Sequence, residues 1–403
     1  MQRILVVGGG HPQLTLIEES VKLGCHVTVV DDRANCPGVR LSSVVLPIHR
    51  YDTEAVVAAA RKLPFEGVVS GGSDKAVWVM AKVANACGLT PYVTADTAAL
   101  PMAKDRMRTF LDDHALPVPT SKRVDSLAEA LEAADQCHYP VVIKPVDGIG
   151  QLGVHRVDGP ESLRRVFPES VQASGSSSVL LQEFVEGREL GVNGFVMDGA
   201  FRLLTVSYRD ASRDEGDAFG VALYKQYPAI EARPHFGLIE SVLDRACRAM
   251  GLINSPIYAQ IMLRNQAADP IRVIEVMPRI GGGEDPRLVH AATGFNMAKA
   301  TVKVALGQAL ATSDLVDGPG HPAVSLRFLT AQAGRISGIY GLPDARAAPG
   351  VINADAFYGI GHRVDGVRSS RERLGYVLTV GDTVEQSTER ARTAAGLIGI
   401  VTE

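Results

Sequence analysis

Residues 273–284 read VIEVMPRIGGGE. An apolar strand carrying one carboxylate, Glu275, runs into a proline, an arginine (Arg279) and three glycines, Gly281, Gly282 and Gly283. An acid on a strand can hold a metal, a guanidinium can hold an anion, and bare backbone lets a ligand approach the main chain. The plainer reading is a strand that ends in a flexible turn. Period-two alternation puts Val273, Glu275 and Met277 on one face, and in IYAQIML (257–263) it groups Tyr258, Gln260 and Met262. The connection RNQAADP reads as a hairpin centred between Ala267 and Ala268. That register sets Gln260 opposite Glu275, with Cβ atoms ~5 Å apart, where two oxygen-bearing side chains can share a hard cation. A slip of one residue would send them to opposite faces.

Working outward, VVIKP (141–145) buries a lone lysine, Lys144, in an apolar strand. Such an ammonium must find an anion or bear a desolvation cost. Just downstream, GIGQLG (148–153) matches the G-x-G-x-x-G pattern through Gly148, Gly150 and Gly153. VHRV follows it and reads as a strand, so the context is a strand–glycine loop–strand flap able to donate backbone N–H groups to polyphosphate. A plain glycine hairpin is the bland alternative. LLQEFVEGREL (180–190) sets Gln182, Glu183, Val185 and Glu189 around a short hinge after a buried strand. Backbone at such a hinge can meet an adenine edge, and a nearby acid can accept from ribose hydroxyls; solvated strand ends are the bland reading. The opening VVGGGHPQ resembles a dinucleotide turn, but Gln13 replaces its third glycine. Asp31 and Asp32 keep a nicotinamide reading open, while tight βα packing explains Gly8, Gly9 and Gly10 as well. No G-x-x-x-x-G-K-[ST] motif is present.

Composition bounds the classes. The 403 residues are 46% hydrophobic and 21% charged, ordinary for a globular protein of roughly two to four domains. Lys plus Arg number 41 against 45 acids, so no global basic field points to nucleic acid. Five cysteines without a C-x-x-C pair argue against a disulfide framework or zinc knuckle and favour reduced thiols. No apolar run approaches the ~18 residues of a membrane span. The expectation is a cytoplasmic protein.

The first hundred residues alternate strand and helix in the manner of parallel βαβ units. TPYVTADTAALP (90–101) reads as a linker, and KDRMRTFLDDHAL, opened by Lys104, as a helix. Short strands joined by glycine turns follow, with SGSSS (174–178) as an exposed loop. The expected architecture is α/β and α+β: an N-terminal domain over 1–100, a central body over 101–318 with a flap subdomain at about 119–185, and a small β-rich subdomain over 319–403.

Jointly, Lys104, Lys144, the glycine flap, QEFVEGRE and EVMPRIGGG resemble the ATP-grasp superfamily over essentially the whole chain. The N-terminal domain resembles its Rossmann-like pre-grasp domain. The late RLGYVLTVGDT resembles the C-terminal domain of the L-amino-acid ligase branch. The resemblance implies ATP and Mg²⁺ as cofactors. It implies that Lys104, Lys144 and the flap glycines Gly148, Gly150 and Gly153 contact phosphates, and that Gln182, Glu183 and Val185 face adenine. Glu189 would hold the ribose, and Glu275 with Gln260 the metal. Arg279 would stabilise phosphoryl and tetrahedral anions, and Gly281, Gly282 and Gly283 would donate to a substrate carboxylate. Two positions depart from the family, which usually has Glu at Gln260 and Asn at Met277; a thioether is a poor ligand for Mg²⁺. The implied activity is an ADP-forming carboxylate–amine ligase working through an acyl phosphate on small-molecule substrates, amino acids first. The alternatives are a purine-synthesis carboxylase or formyltransferase of the same superfamily, and a nucleotide binder that has lost catalysis. Neither nucleic acid nor membrane is an expected partner, and a homodimer is an open alternative.

Overall fold

The computed structural model describes residues 1–148, 150–210, 219–264, 268–367 and 369–403. Ile149 of the glycine loop and the hairpin tip at 265–267 lie outside the described residues. The N-terminal strands Arg3–Val7, His26–Val30, Val44–Leu46 and Gly67–Val69 form one parallel sheet. Helices such as His11–Lys22 and Asp74–Ala86 connect them, as expected of βαβ units. Gly9 is required by packing, because a Cβ there would press on Val29. Asp31, the candidate ribose acid, accepts from the Gly9 N–H at 2.9 Å and from Arg33 Nη2 at 2.8 Å. Its carboxylate is spent inside the domain, which removes the support for a nicotinamide site.

The stretch 90–101 is more than a linker. It holds the helix Ala95–Ala99, and the buried Tyr92 donates its hydroxyl to Ser70 O at 2.8 Å. SGSSS is exposed at Gly175, Ser176 and Ser177, as expected, but not at its two ends. Ser174 and Ser178 are buried, and Ser174 Oγ donates to Asp147 Oδ1 at 2.7 Å. The serines fasten the segment that leads into the glycine loop.

The flap subdomain is a four-stranded sheet in the order Ser121–Val124, Val179–Glu183, Val141–Pro145, His155–Val157, with its own apolar core under two helices. The largest sheet has eight strands, from Ile271–Met277 at one edge through Ser255–Leu263, Arg188–Met197, Ala200–Asp210 and Tyr224–Tyr227. It continues into Ala323–Leu329, Gly375–Gly381 and Val351–Ala356. This sheet runs across residue 319, because Tyr224–Tyr227 pairs with Ala323–Leu329. A single hydrophobic core joins the N-terminal sheet to the near half of the large sheet, so Ile4 and Val276 belong to one packed cluster. That shared core places the ends of the N-terminal strands against the 280–283 loop, where Gly72 N–H donates to Ile280 O at 3.0 Å.

Candidate active site

Gln260 and Glu275 face each other as expected, but by a different route. Near the turn Leu263 pairs with Ile271, one residue out of the expected register. A β-bulge then inserts Ile274, so Gln260 returns to a position opposite Glu275. The bulge also corrects the face assignment. Val273 points into the apolar core, as does Val276, and strict alternation from Val273 to Glu275 does not hold. Without the bulge Glu275 would share the core face with Val273, an untenable place for an unpaired carboxylate.

Arg108 secures this irregularity. It is buried one helical turn beyond Lys104 and donates Nη1 to Val273 O at 3.1 Å and Nη2 to Ile274 O at 3.3 Å. The same Nη2 reaches Gln182 Oε1 at 3.1 Å, and Lys144 Nζ donates to that oxygen at 2.9 Å. One amide oxygen therefore links the flap lysine, the helix arginine and the bulged strand. Among the described residues Gln182 is the only hydrogen-bond partner of Lys144 Nζ. Burial pulls the Lys144 ammonium down to about 7, with Glu275 and Glu189 opposing and Arg108 and Lys104 reinforcing the shift. Lys104 lies on the same side, its Nζ donating to Gly148 O at 2.6 Å.

The glycine loop joins the antiparallel strands Val141–Pro145 and His155–Val157, the strand–loop–strand order expected, with Gly150 and Gly153 at positive φ. It touches the C-terminal segment, where Ser370 N–H donates to Gly150 O at 3.0 Å. At the hinge Val185 is buried, and Glu183 directs its carboxylate to Thr120 N–H at 3.1 Å. The Glu183 side chain therefore fastens the flap sheet, as does its own N–H, which donates to Thr120 O at 2.8 Å. Glu189 is paired with Arg209 on the adjacent strand. Burial pushes the Glu189 carboxyl up, and Arg209 opposes that shift.

Arg279 holds Asp74, at the start of the N-terminal domain's third helix, through Nε at 2.7 Å and Nη2 at 3.3 Å. Its Nη2 also meets Met277 Sδ at 2.9 Å, so Met277 faces the guanidinium. The glycines after it are sterically required. A Cβ on Gly281 would strike Asp285, and one on Gly282 would strike Gly72 O. Gly283 lies against Lys225 Nζ and Arg373 Nη1, and its carbonyl accepts from Lys225 at 2.9 Å. Lys225 also pairs with the buried Asp285 at 2.7 Å. Burial brings the Lys225 ammonium down to about 8 despite that pairing.

Hydrogen bonds and strand pairing thus bring Lys144, Gln182 and Arg108 to the bulged strand of Glu275, with Gln260 opposite it and Glu189 on the next strand. Arg108, Arg209, Lys225, Asp285 and Arg373 lie beside these residues or the three glycines and were not anticipated. For Arg108 a signal existed, since it lies one turn after Lys104 on the buried face of the same helix. The donors suit Mg²⁺ that arrives on a polyphosphate. Among the described residues no group of three or more His, Cys, Asp or Glu could hold a metal ion, and Mg²⁺ commonly relies on one or two carboxylates plus phosphate oxygens. No helix among the described residues is long and apolar enough to cross a membrane.

The ATP-binding domain of the carbamoyl-phosphate synthase large chain matches residues 103–313, and the L-amino acid ligase C-terminal domain 2 matches residues 327–403. The N-terminal section of the carbamoyl phosphate synthase large chain of Methanopyrus kandleri is 28% identical over 208 residues, covering 51% of this chain and 36% of that protein. A formate-dependent phosphoribosylglycinamide formyltransferase of Prochlorococcus marinus is 27% identical over 212 residues, covering 52% of this chain and 51% of that protein. The chain thus spans about half or less of the curated relatives it matches. In fold it is similar to the L-amino acid ligase of Bacillus licheniformis, with a TM-score of 0.81 at 22% identity over 100% of this chain and 99% of that one. Bulged strand of Glu275, buried flap lysine and a domain match over half the length agree: the chain belongs to the ATP-grasp superfamily, with a carbamoyl-phosphate-synthase-type ATP-binding domain followed by an L-amino-acid-ligase-type C-terminal domain.

Proposed function

We propose that this protein is an ADP-forming carboxylate–amine ligase that joins amino acids. The observation that carries the reading is Lys144, a buried ammonium whose hydrogen-bond partner is a neutral amide and which therefore lacks a counter-anion. A polyphosphate supplies one. In the first step a substrate carboxylate attacks the γ-phosphorus of ATP, giving an acyl phosphate and ADP. An amine then attacks the acyl carbon and phosphate leaves with the C–O bond electrons. Lys104 and Lys144 hold phosphate oxygens, with Gly148, Gly150 and Gly153 lending backbone donors. Gln182, Glu183 and Val185 face adenine, and Glu189 takes the ribose, sharing its charge with Arg209. Glu275 and Gln260 would hold Mg²⁺, which would supply neutralisation of the charge on the nucleotide phosphates. Arg279 meets the charge that develops on phosphoryl and tetrahedral species, and Gly281 to Gly283 present N–H groups to the substrate carboxylate. Positioning and preorganised charge are what this reaction requires of a protein. The proposed domains are 1–100, 101–318 and 319–403. The amino-acid substrate class is supported by the match of residues 327–403 to an L-amino acid ligase domain.

The test is a screen of amino acids, singly and in pairs, with ATP and Mg²⁺. At least one pair should release phosphate together with a product whose mass is that of the pair less water. Absence of ADP and phosphate release with every pair would reject the reading. A lapsed nucleotide binder, favoured by Met277 turning its sulfur to Arg279, would bind ATP and release neither.

Arg279→Lys should lower kcat about a hundredfold or more while KM for ATP stays within a few-fold, because a bidentate donor to developing charge acts mainly in the transition state. If Arg279 serves only to tie Asp74, the variant would instead melt at lower temperature with kcat intact. Steady-state kinetics with a thermal melt separate the two.

A further inference from the structure

Among the buried cations, Arg373 differs in its partners. Arg279 has Asp74, Arg209 has Glu189, Lys225 has Asp285, and Arg108 has Gln182 and two carbonyls. Arg373 is 8% exposed, and among the described residues it has no ion pair; its Nε has no hydrogen-bond partner. The guanidinium lies over the Phe328 ring, with Cζ 4.0 Å from the centroid. Its Nη1 points towards Gly283, 3.2 Å from where a Cβ on that residue would stand. A side chain at position 283 would cover it. Burial lowers the guanidinium to about 9, which still leaves it charged at neutral pH.

The backbone that carries Arg373 is firmly held. Ser369 and Glu372 cap the short turn before it, with Ser369 Oγ donating to Glu372 Oε2 at 2.6 Å, and Leu374 N–H donates to Leu329 O at 2.8 Å. A rigid, buried, charged donor without an acceptor among the described residues is costly in an empty protein. It becomes favourable when an anion fills the place. Which anion follows from its neighbours. The charges felt by Arg373 are those of Arg209, Asp285 and Glu189 together with Tyr258, whereas Lys144 senses Glu275, Arg108, Lys104 and Glu189. Arg373 thus stands against Gly283 and Phe328, at the end of the glycine run, and neither Lys104 nor Lys144 is among the charges that act on it most strongly. The carboxylate being activated loses its charge as the acyl phosphate forms, so it does not need a permanent counter-ion there. A carboxylate that survives the reaction does.

We propose that Arg373 anchors the carboxylate of the amine-bearing substrate, so that this substrate is a free amino acid rather than a simple amine. Gly283 is the small residue that leaves the guanidinium edge open for a two-point contact. The inference rests on the ligase reading for its chemistry, but the seat can be tested without turnover. The turn bearing Arg373 is the one that touches the glycine loop through Ser370, so nucleotide closure and filling of this seat share a contact.

The full-length protein, Mg²⁺ and a non-hydrolysable ATP analogue are titrated calorimetrically with free amino acids and with the matching carboxamides. Wild type should bind at least one free amino acid at least tenfold more tightly than its carboxamide, and Arg373→Gln should erase that preference. In turnover, Arg373→Gln should raise KM for the amine-bearing amino acid roughly ten- to a hundredfold, the range expected for lost charge-assisted hydrogen bonds, with KM for ATP unchanged. Arg373→Lys should restore part of the loss. The ligand-free Arg373→Gln protein should melt no lower than wild type, because a buried charge without a partner among the described residues has been removed. A lower melting temperature would make Arg373 structural, a raised KM for ATP would assign it to phosphate, and equal loss with free acid and carboxamide would also overturn the proposal. If binding discriminates as expected yet no pair of amino acids releases phosphate, the ligase reading fails while the carboxylate seat stands.

Discussion

Glu275→Gln should abolish turnover, lowering kcat by about a thousandfold or more, while the protein stays folded and still binds ATP when Mg²⁺ is withheld. The bulge at Ile274 turns Glu275 away from the core and sets it opposite a neutral amide, Gln260. The strand pair thus offers a cation one full charge. Removing it takes away several kcal/mol of charge stabilisation at the transferring phosphoryl group, and each ~1.4 kcal/mol is a tenfold change in rate. Gln260→Glu is the converse. A second carboxylate across the ladder should lower the Mg²⁺ concentration needed for half-maximal rate, since a site with one charged ligand otherwise depends on metal delivered with the nucleotide. Mg²⁺ titrations of ADP release in both variants check the pair. If Glu275→Gln is inactive and Gln260→Glu leaves the Mg²⁺ dependence unchanged, Gln260 faces the metal strand without touching the metal. If Glu275→Gln retains wild-type turnover, the metal is held elsewhere.

This pair also shows how much of the site could be read in advance. Gln260 and Glu275 were matched by counting from a hairpin centre, and the match holds because a bulge cancels an offset at the turn. Neither event has a local sequence signal, since Ile274 is as apolar as its neighbours. Lys144 and Glu275 were legible because a charge in an apolar strand contradicts its surroundings. Arg209, Lys225 and Arg373 carry no such mark. They sit at strand ends or beside loops, where cations are usually solvated, and their burial depends on strands brought together across long separations. Lys225 finds Asp285 across 60 residues and Arg279 finds Asp74 across 205. The fold was more accessible than these contacts, because βαβ order and glycine-punctuated strands are short-range features. Tyr92 and the serines at 174 and 178 mark the opposite error, in which turn-like composition concealed buried packing.

ATP binding should take up a proton above neutral pH, and Lys144 should be the reason. In the free protein burial lowers this ammonium from its ordinary value of 10.5 to about 7. Between those values the unfolded chain holds a proton that the folded chain has released, so this group's contribution to stability rises as pH increases through that window and is lost below it. Nucleotide reverses the balance. Phosphate oxygens at Nζ favour the charged form, so each bound ATP restores the proton, and affinity should fall by up to about tenfold per pH unit as pH climbs above about 7. Calorimetry at about pH 8 in two buffers of different ionisation enthalpy measures the uptake directly. Lys144→Ala should weaken ATP binding roughly ten- to a hundredfold and abolish that component of proton uptake. It should not unfold the flap, because Gln182 Oε1 keeps the Arg108 donor at 3.1 Å and a costly buried charge is gone. The adjacent charges sharpen the expectation. Glu275 and Glu189 raise the lysine's affinity for protons, while Arg108 and Lys104 lower it. Glu275→Gln should therefore shift the onset of proton uptake to lower pH, a change that appears in binding even where turnover has been lost. Wild-type affinity that is flat with pH, together with no proton uptake, would mean that Lys144 remains charged in the empty protein and that an anion other than nucleotide already satisfies it.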